Sequence, residues 1–380
     1  MASFEFRKTF VVALTAMFLA GCHQSDAPQY VMSDTAKSLS QELQQAIQVE
    51  LTKHTGDYIK PKLISDGHES SKDLAHGQAV YQTHCVQCHG VTGDGNGPSA
   101  KFMYPLPRDY RKGIFKFTST PYGYHPLRDD LLRTVRQGIR GTSMPGFTLL
   151  PEKDLQSVID YVIMLSRRGE LEKQLIGMAE SDEAIAADEV ESDLMVAVIK
   201  HWADAEEAEF FPTSPAPRFT SEHVERGKKA FLTKGCSKCH GEDGRGLTLD
   251  NRGTDTWGHQ TRAADLTSGM LHGGNRPLDI YRRIFNGING TPMPGFGNAF
   301  RDNPEAIWDV VAYVLTVTNR RRSGDVPNPG PLAPYVSAAP AKAEAAANAA
   351  PAEAASAEPA KAEPAEPAQT EAKPEPAKPE

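Results

Sequence analysis

Apolar residues recur at helical spacing in several stretches of this chain. Leu39, Leu43 and Ile47 share one face of a helix predicted over about 38–53. A stronger stripe, Leu155, Val158, Ile159, Val162 and Leu165 with Tyr161 among them, predicts a helix from about Glu152 to Leu165. A matching stripe around Tyr313 predicts a closing helix from about Asn303 to Val317. Leu194, Met195, Val198, Ile199 and Trp202 give an apolar helical face that ends before Pro212 to Pro217. A shorter helix from Asp129 to Gln137 stops at Gly138, and the stretches between helices are rich in Gly and Pro, as at Gly93, Gly95 and Gly97-Pro98.

The helices and loops come in two matching sets. Gly77 and Tyr81, four apart and leading into Cys85, correspond to Gly227 and Phe231, leading into Cys236. Asp109 and Gly113 correspond to Asp265 and Gly269, Arg133 to Arg282, and Tyr161 to Tyr313. Gly141-Thr142-Ser143-Met144-Pro145-Gly146-Phe147 corresponds to Gly290-Thr291-Pro292-Met293-Pro294-Gly295-Phe296. Self-similarity on this scale predicts an internal duplication of a domain of roughly 100 residues.

Each set holds one C-x-x-C-H motif, Cys85-Val86-Gln87-Cys88-His89 and Cys236-Ser237-Lys238-Cys239-His240. This is the attachment pattern of a c-type haem: two thiols add across the two vinyl groups, and the adjacent imidazole reaches the iron. A lone copy would also suit half a zinc site or a thiol redox pair. Two copies in matching surroundings favour two covalently bound c-type haems, with His89 and His240 as iron ligands.

The opposite side of each iron decides the chemistry, because a thioether there raises the potential and closes the site, whereas an open position admits small molecules. Met144 and Met293 follow their histidines at nearly the same distance and sit in the same Gly/Pro-bounded loop. Methionine usually serves as adaptable packing, but the matched position in both repeats makes these two the candidate ligands. Met103, Met270 and His272 are competitors, each without a counterpart in the other repeat. His23, His84, His125, His201 and His259 read as surface or hydrogen-bonding residues. Pro98 and Pro107 are candidates to aim a carbonyl at the His89 ring N–H. Arg133 and Arg282 are candidates to pair with haem carboxylates, with ordinary solvated arginines as the alternative.

Composition changes the picture at the ends and in the middle. Arg7 and Lys8, an apolar run from Thr9 to Ala20, and Leu19-Ala20-Gly21-Cys22 predict an export signal. Leu-Ala-Gly-Cys resembles the bacterial lipobox, which makes Cys22 the expected lipidated first residue of the mature protein. An ordinary signal peptide or an uncleaved anchor is the alternative. His23, where inner-membrane retention would resemble Asp, leans towards the outer membrane. The formal net charge of −8 is concentrated: residues 170–210 hold thirteen acidic and two basic side chains, and residues 337–380 hold eight Glu and four Lys. The repeated units are therefore mildly basic, with no field that would indicate nucleic acid. The expected divisions are a signal peptide (1–21), a spacer with one helix (22–72), a first domain (73–168), an acidic linker with a helix (169–220), a second domain (221–322) and a disordered Pro/Ala/Glu/Lys-rich tail (323–380).

The helix with Gly and an aromatic before C-x-x-C-H, the Met loop and the aromatic-bearing last helix together resemble the class I c-type cytochromes. The resemblance covers the two domains and not the spacer, linker or tail. It implies an all-α fold of two tandem domains, with the first and last helices of each crossing at Gly77 with Tyr161 and at Gly227 with Tyr313. One departure is the longer irregular stretch between motif and Met in both domains. The expected function is a periplasmic, membrane-tethered electron carrier between redox proteins or a respiratory complex, without substrate turnover of its own. Two alternatives stand beside it: a dihaem oxidoreductase with one displaceable ligand, of a peroxidase-like or thiosulfate-oxidising kind, and a fixed subunit of a membrane respiratory complex.

Overall fold

The computed structural model describes residues 28–65 and 73–320. The expected signal segment, Cys22 and the C-terminal tail lie outside the described residues. What is described is mainly helical. In the first unit, α1 (Gln41–Thr55) precedes α2 (Leu74–His84), α3 (Arg128–Gln137) and the long α4 (Glu152–Asp182). After α5 (Met195–Glu207), the second unit comprises α6 (Ser221–Thr233), α7 (Pro277–Asn286) and α8 (Ala306–Asn319).

Each unit is built on one helix crossing. Asp73 caps α2 by accepting from the His76 N–H at 3.0 Å, and α2 packs on α4 with Gly77 at the contact. A Cβ placed on Gly77 would lie 2.1 Å from the Ser157 carbonyl oxygen and 3.1 Å from Tyr161 Cβ. The second crossing, α6 on α8, is tighter: a Cβ on Gly227 would lie 1.8 Å from the Asp309 carbonyl oxygen. Only glycine lets the backbones come this close. One turn on from each glycine an aromatic ring meets the aromatic of the partner helix. Tyr81 and Tyr161 have centroids 5.3 Å apart, and Phe231 and Tyr313 5.2 Å. The crossing the family resemblance implied is thus present twice.

The predicted end of the first domain needs correction. The helix expected to stop near Leu165 continues to Asp182, well past the expected boundary at 168. A linker is expected from residue 169, with acidic Glu170 at its start, yet Ser166 to Glu170 are all buried. Arg168 donates to the Thr55 hydroxyl and caps the last turn of α1 through the Leu51 carbonyl. Glu172 accepts from the Ser33 N–H at 2.6 Å, and Glu170 from Trp202 Nε1 at 3.0 Å. Around them Ile47 and Leu51 of α1, Leu171 and Leu175 of α4, and Val198 of α5 form a separate apolar cluster. The spacer helix and the linker helix therefore close on the extension of α4 as a small helical layer.

The two units do not hang apart on a linker. Residues 108–125 of the first, the longer irregular stretch noted in the sequence, lie against the second. Trp257 Nε1 donates to the Asp109 carbonyl at 3.0 Å, and the Arg108 guanidinium stacks 3.4 Å over the Trp257 ring. Lys112 donates to the Thr256 carbonyl at 3.0 Å, the Gly123 N–H to Asn289 Oδ1 at 3.0 Å, and Asn286 to the Thr120 carbonyl at 3.2 Å. The second unit also departs from pure helix by a small hairpin, β1 (Arg252–Thr254) antiparallel to β2 (Gln260–Arg262), with Gly253 opposite Thr261. Asp255 shapes its turn by accepting from the N–H groups of Trp257 and His259 at 3.1 and 3.0 Å.

Candidate haem sites

The last turn of α2 runs into a short helical turn, Val86–His89, closed by His89 N–H donating to the Cys85 carbonyl at 2.9 Å. In one turn, positions i, i+3 and i+4 share a face. Cys85, Cys88 and His89 therefore point into the same cavity, of about 340 Å³. Cys236, Cys239 and His240 do the same in the second unit, facing a cavity of about 260 Å³. Gly90 and Gly241, at φ +74° and +73°, turn the chain away at once.

Both histidines are oriented by a backbone carbonyl. His89 Nδ1 donates to the Arg108 carbonyl and His240 Nδ1 to the Ala264 carbonyl, each at 3.1 Å. With Nδ1–H engaged, Nε2 carries the free lone pair that a metal requires. Burial lowers the pKa of both imidazoles, and so favours the neutral form. Of the two prolines expected to present this carbonyl, neither does so. Pro107 lines the cavity but the acceptor is its successor, Arg108, and Pro98 does not line the cavity.

Met144 lines the first cavity and Met293 the second. The Met144 loop is clipped to α3 by the Ile139 N–H donating to the Met144 carbonyl and the Phe147 N–H to the Val135 carbonyl, both at 3.1 Å. The Met293 loop repeats the clip, Ile288 N–H to the Met293 carbonyl at 3.1 Å and Phe296 N–H to the Ile284 carbonyl at 2.9 Å. The loops tighten in the same way too: the Met144 and Met293 N–H groups donate to Thr142 and Thr291 at 3.1 and 3.2 Å. Gly138 and Gly287 permit the close return, since a Cβ on either would fall within 2.8 Å of the loop backbone.

The rest of each lining is largely apolar, for example Leu131, Val135, Ile159 and Val162 in the first and Ile280, Ile284, Val310 and Val314 in the second. A thiol pair, an imidazole and a thioether lining one largely hydrocarbon cavity are what a covalently attached porphyrin and its iron require. The residues present fit the group.

The competitors fall differently. Met103 and His84 line the first cavity; Met270 lines neither and is 52% exposed. His272 lines both. His125 packs on Trp202 beside Glu170, and His259 faces Asp255. The two arginines expected near haem carboxylates are committed elsewhere and line neither cavity. Arg133 is held by buried Asp130 at 2.8 Å. Arg282 donates to Ser119 Oγ at 2.6 Å, Glu209 at 2.9 Å and the Phe210 carbonyl at 3.0 Å, tying the second unit to the first and to the segment after α5. The cationic groups that do line the cavities were missed by sequence reasoning: Arg108, Lys116, Arg252, Arg262 and Arg283. The first two lie in irregular segments where no periodicity gives a side chain a direction. Arg283 is next to the matched Arg282 on α7, and it is Arg283, not Arg282, that borders the second cavity.

Comparison with known proteins divides the chain at the same two units. Residues 72–162 match the family of cytochrome c oxidase, cbb3-type, subunit III, and residues 224–318 match the cytochrome c family. The Cbb3-type cytochrome c oxidase subunit CcoP of Helicobacter pylori is 23% identical over 207 residues, 53% of this chain and 46% of the relative. A second CcoP sequence from that organism is 23% identical over 197 residues, 50% of this chain and 42% of the relative. The chain spans less than half the length of these curated relatives. A chain of the Kuenenia stuttgartiensis reducing HAO-like protein complex Kustc0457/Kustc0458 superposes with a TM-score of 0.49 at 29% identity, over 64% of this chain and 95% of that one.

Proposed function

Because this chain is a dihaem class I c-type cytochrome, with one covalently attached haem in each of two domains, we propose that it relays single electrons between respiratory partners and converts no substrate by itself. The haems supply a reversible one-electron change at iron. The protein sets where that change happens and what else can reach it. The observation that supports the reading is the repeated Met loop: the same clip holds Met144 and Met293, each of which lines the same cavity as its domain's motif histidine, His89 or His240. With His89 and Met144 holding the first iron and His240 and Met293 the second, each haem would exchange electrons and leave no position open to added ligands.

His89 and His240 present neutral Nε2, because Nδ1–H is spent on a carbonyl. The cysteine pairs Cys85/Cys88 and Cys236/Cys239 would attach the porphyrin covalently beside that imidazole. Arg108 has its pKa lowered to about 10 by burial and contributes positive charge beside the first cavity. A nearby cation favours the reduced iron and raises the potential.

The likeness to the CcoP subunit supports a second reading within the same function, a fixed subunit of a membrane respiratory complex. Among the described residues no helix is long and apolar enough to cross a membrane. In either reading we assign the membrane tether to a lipid on Cys22 and the compartment to the periplasm, on the basic, apolar and Leu-Ala-Gly-Cys succession at the N-terminus. Cys22→Ser releases the protein into the soluble periplasmic fraction; a variant still in the membrane fraction removes the lipid assignment. The relay is tested by reductive titration of the purified holoprotein. It takes up two electrons per chain in reversible one-electron steps, and irreversible or substrate-dependent reduction contradicts the reading.

A further inference from the structure

The two haem cavities share part of their lining. Lys116 and Phe117 of the first domain and His272 of the second border both. The contact between them is close. A Cβ on Gly273 would lie 3.1 Å from Phe117 Cδ1, and one on Gly141, in the first Met loop, 3.3 Å from His272 Nε2. The Met loops meet the opposite domain reciprocally: Gly141 packs on Met270 and His272, while Gly290 packs on Ile114, beside Trp257 of its own domain.

The seam between the domains also holds charge. Lys116 keeps only 18% of its side chain exposed, and its nearest carboxylate oxygen, on Asp255, is 3.8 Å away. Asp255 has already committed its other oxygen to two backbone N–H groups. Arg283 is 9% exposed and borders the second cavity. It reaches across to the Thr118 carbonyl, yet its Nε and Nη1 have no partner. Buried cations without full pairing are costly unless an anion completes the site. Haem carboxylates have the chemistry to do so.

Resting on the dihaem reading, we propose that Lys116, Phe117 and His272 form one partition common to both haem pockets, across which the two irons exchange an electron and through which the Lys116 charge acts on both. One electron leaves one iron and enters the other; no bond, proton or atom moves with it. The longer segment between C-x-x-C-H and Met in each domain would then serve to bring the pockets against each other. Lys116 sits where a single charge is close to two irons, in surroundings too dry to screen it.

The test uses the intact holoprotein, with attached haem counted first. Spectroelectrochemical titration below neutral pH compares wild type, Lys116→Gln, Lys116→Arg and, as a control on the exposed face of α6, Lys228→Gln. Removing the shared positive charge lowers both midpoint potentials; Lys116→Arg returns both towards wild type, and Lys228→Gln leaves both in place. A shift at one haem alone, or at neither, overturns the partition. Low-temperature spin resonance of the fully oxidised wild type gives an arm independent of any variant. Each ferric signal relaxes faster than it does when the other iron is reduced; two signals indifferent to each other's state also overturn the proposal. A protein that carries fewer than two haems contradicts the dihaem reading and not the partition.

Discussion

Met144→Ala opens the first haem and leaves the second closed, and Met293→Ala does the reverse. In each variant one of the two midpoint potentials falls, by a sizeable part of the roughly 0.8 V over which axial ligands set haem potentials. The same haem gains rapid, stoichiometric carbon monoxide binding in its ferrous form. Selectivity for one haem follows from the separation of the loops, each clipped to its own helix, Met144 to α3 and Met293 to α7. Neither substitution removes the backbone hydrogen bonds that hold its loop, so the cysteines and the proximal histidine keep their places. If Met103 or His272 were the first ligand, Met144→Ala would leave the spectrum and potential of that haem unchanged. Both border the first cavity, so the variant decides between them.

Gly227→Val abolishes folding of the second domain while the first keeps its haem. The added Cβ would stand 1.8 Å from the Asp309 carbonyl oxygen and 3.0 Å from Tyr313 Cβ, and the branches of valine would add to the clash. Overpacking a core by even a few methylenes costs about 1–3 kcal/mol. Here the obstacle is backbone, which cannot rotate out of the way, so α6 and α8 must part. Their separation would expose Phe231, Tyr313 and Ile307, which are almost fully buried at that contact. Total stabilities of domains lie at about 5–15 kcal/mol, so the loss takes most of the margin. Gly77→Val acts in the same sense on the first domain, where the closest carbonyl is 2.1 Å away. Gly177→Ala is the counter-case. Gly177 lies in α4 with no atom within 4 Å of an added Cβ, and alanine there raises the melting temperature, in keeping with about 1 kcal/mol of helix propensity. Thermal unfolding followed at each haem's absorbance, with attached haem counted by mass, separates these outcomes.

The parts of the fold that follow from short-range rules were legible in the sequence. A helical turn carrying two cysteines and a histidine, a glycine where two helices touch, and a Met loop bounded by Gly and Pro are local devices, and each was written twice. What escaped the sequence was set by contacts between distant residues. A linker is expected to begin at residue 169, and Arg167, Arg168 and Glu170 carry charge, which ordinarily marks surface. Their partners, Ile64, Thr55, Leu51 and Trp202, come from segments that no periodicity connects to α4. The carbonyl that orients His89 was placed one residue early, since in a non-helical segment nothing fixes which oxygen points inward. The choice of Arg282 came from matching the repeats, but duplication preserves position and not partner. In the second domain that position meets Ser119 and Phe210, across a seam that an isolated domain would not have.

That seam changes how the molecule works as a relay. Two domains on a flexible linker would pass electrons only when they collided. The Arg108–Trp257 stack and the hydrogen bonds from residues 109–123 to residues 256–289 hold the pockets in one arrangement. Arg108 also offers its carbonyl to His89, so one residue links the first proximal ligand to the second domain.

Carbon monoxide added to the fully reduced wild-type holoprotein probes both irons at once. If Met144 and Met293 hold their irons opposite the histidines, the optical spectrum stays unchanged on the timescale of mixing. Prompt uptake of one equivalent per chain would mean that one pocket admits ligands, and the molecule would then have to be read as an enzyme.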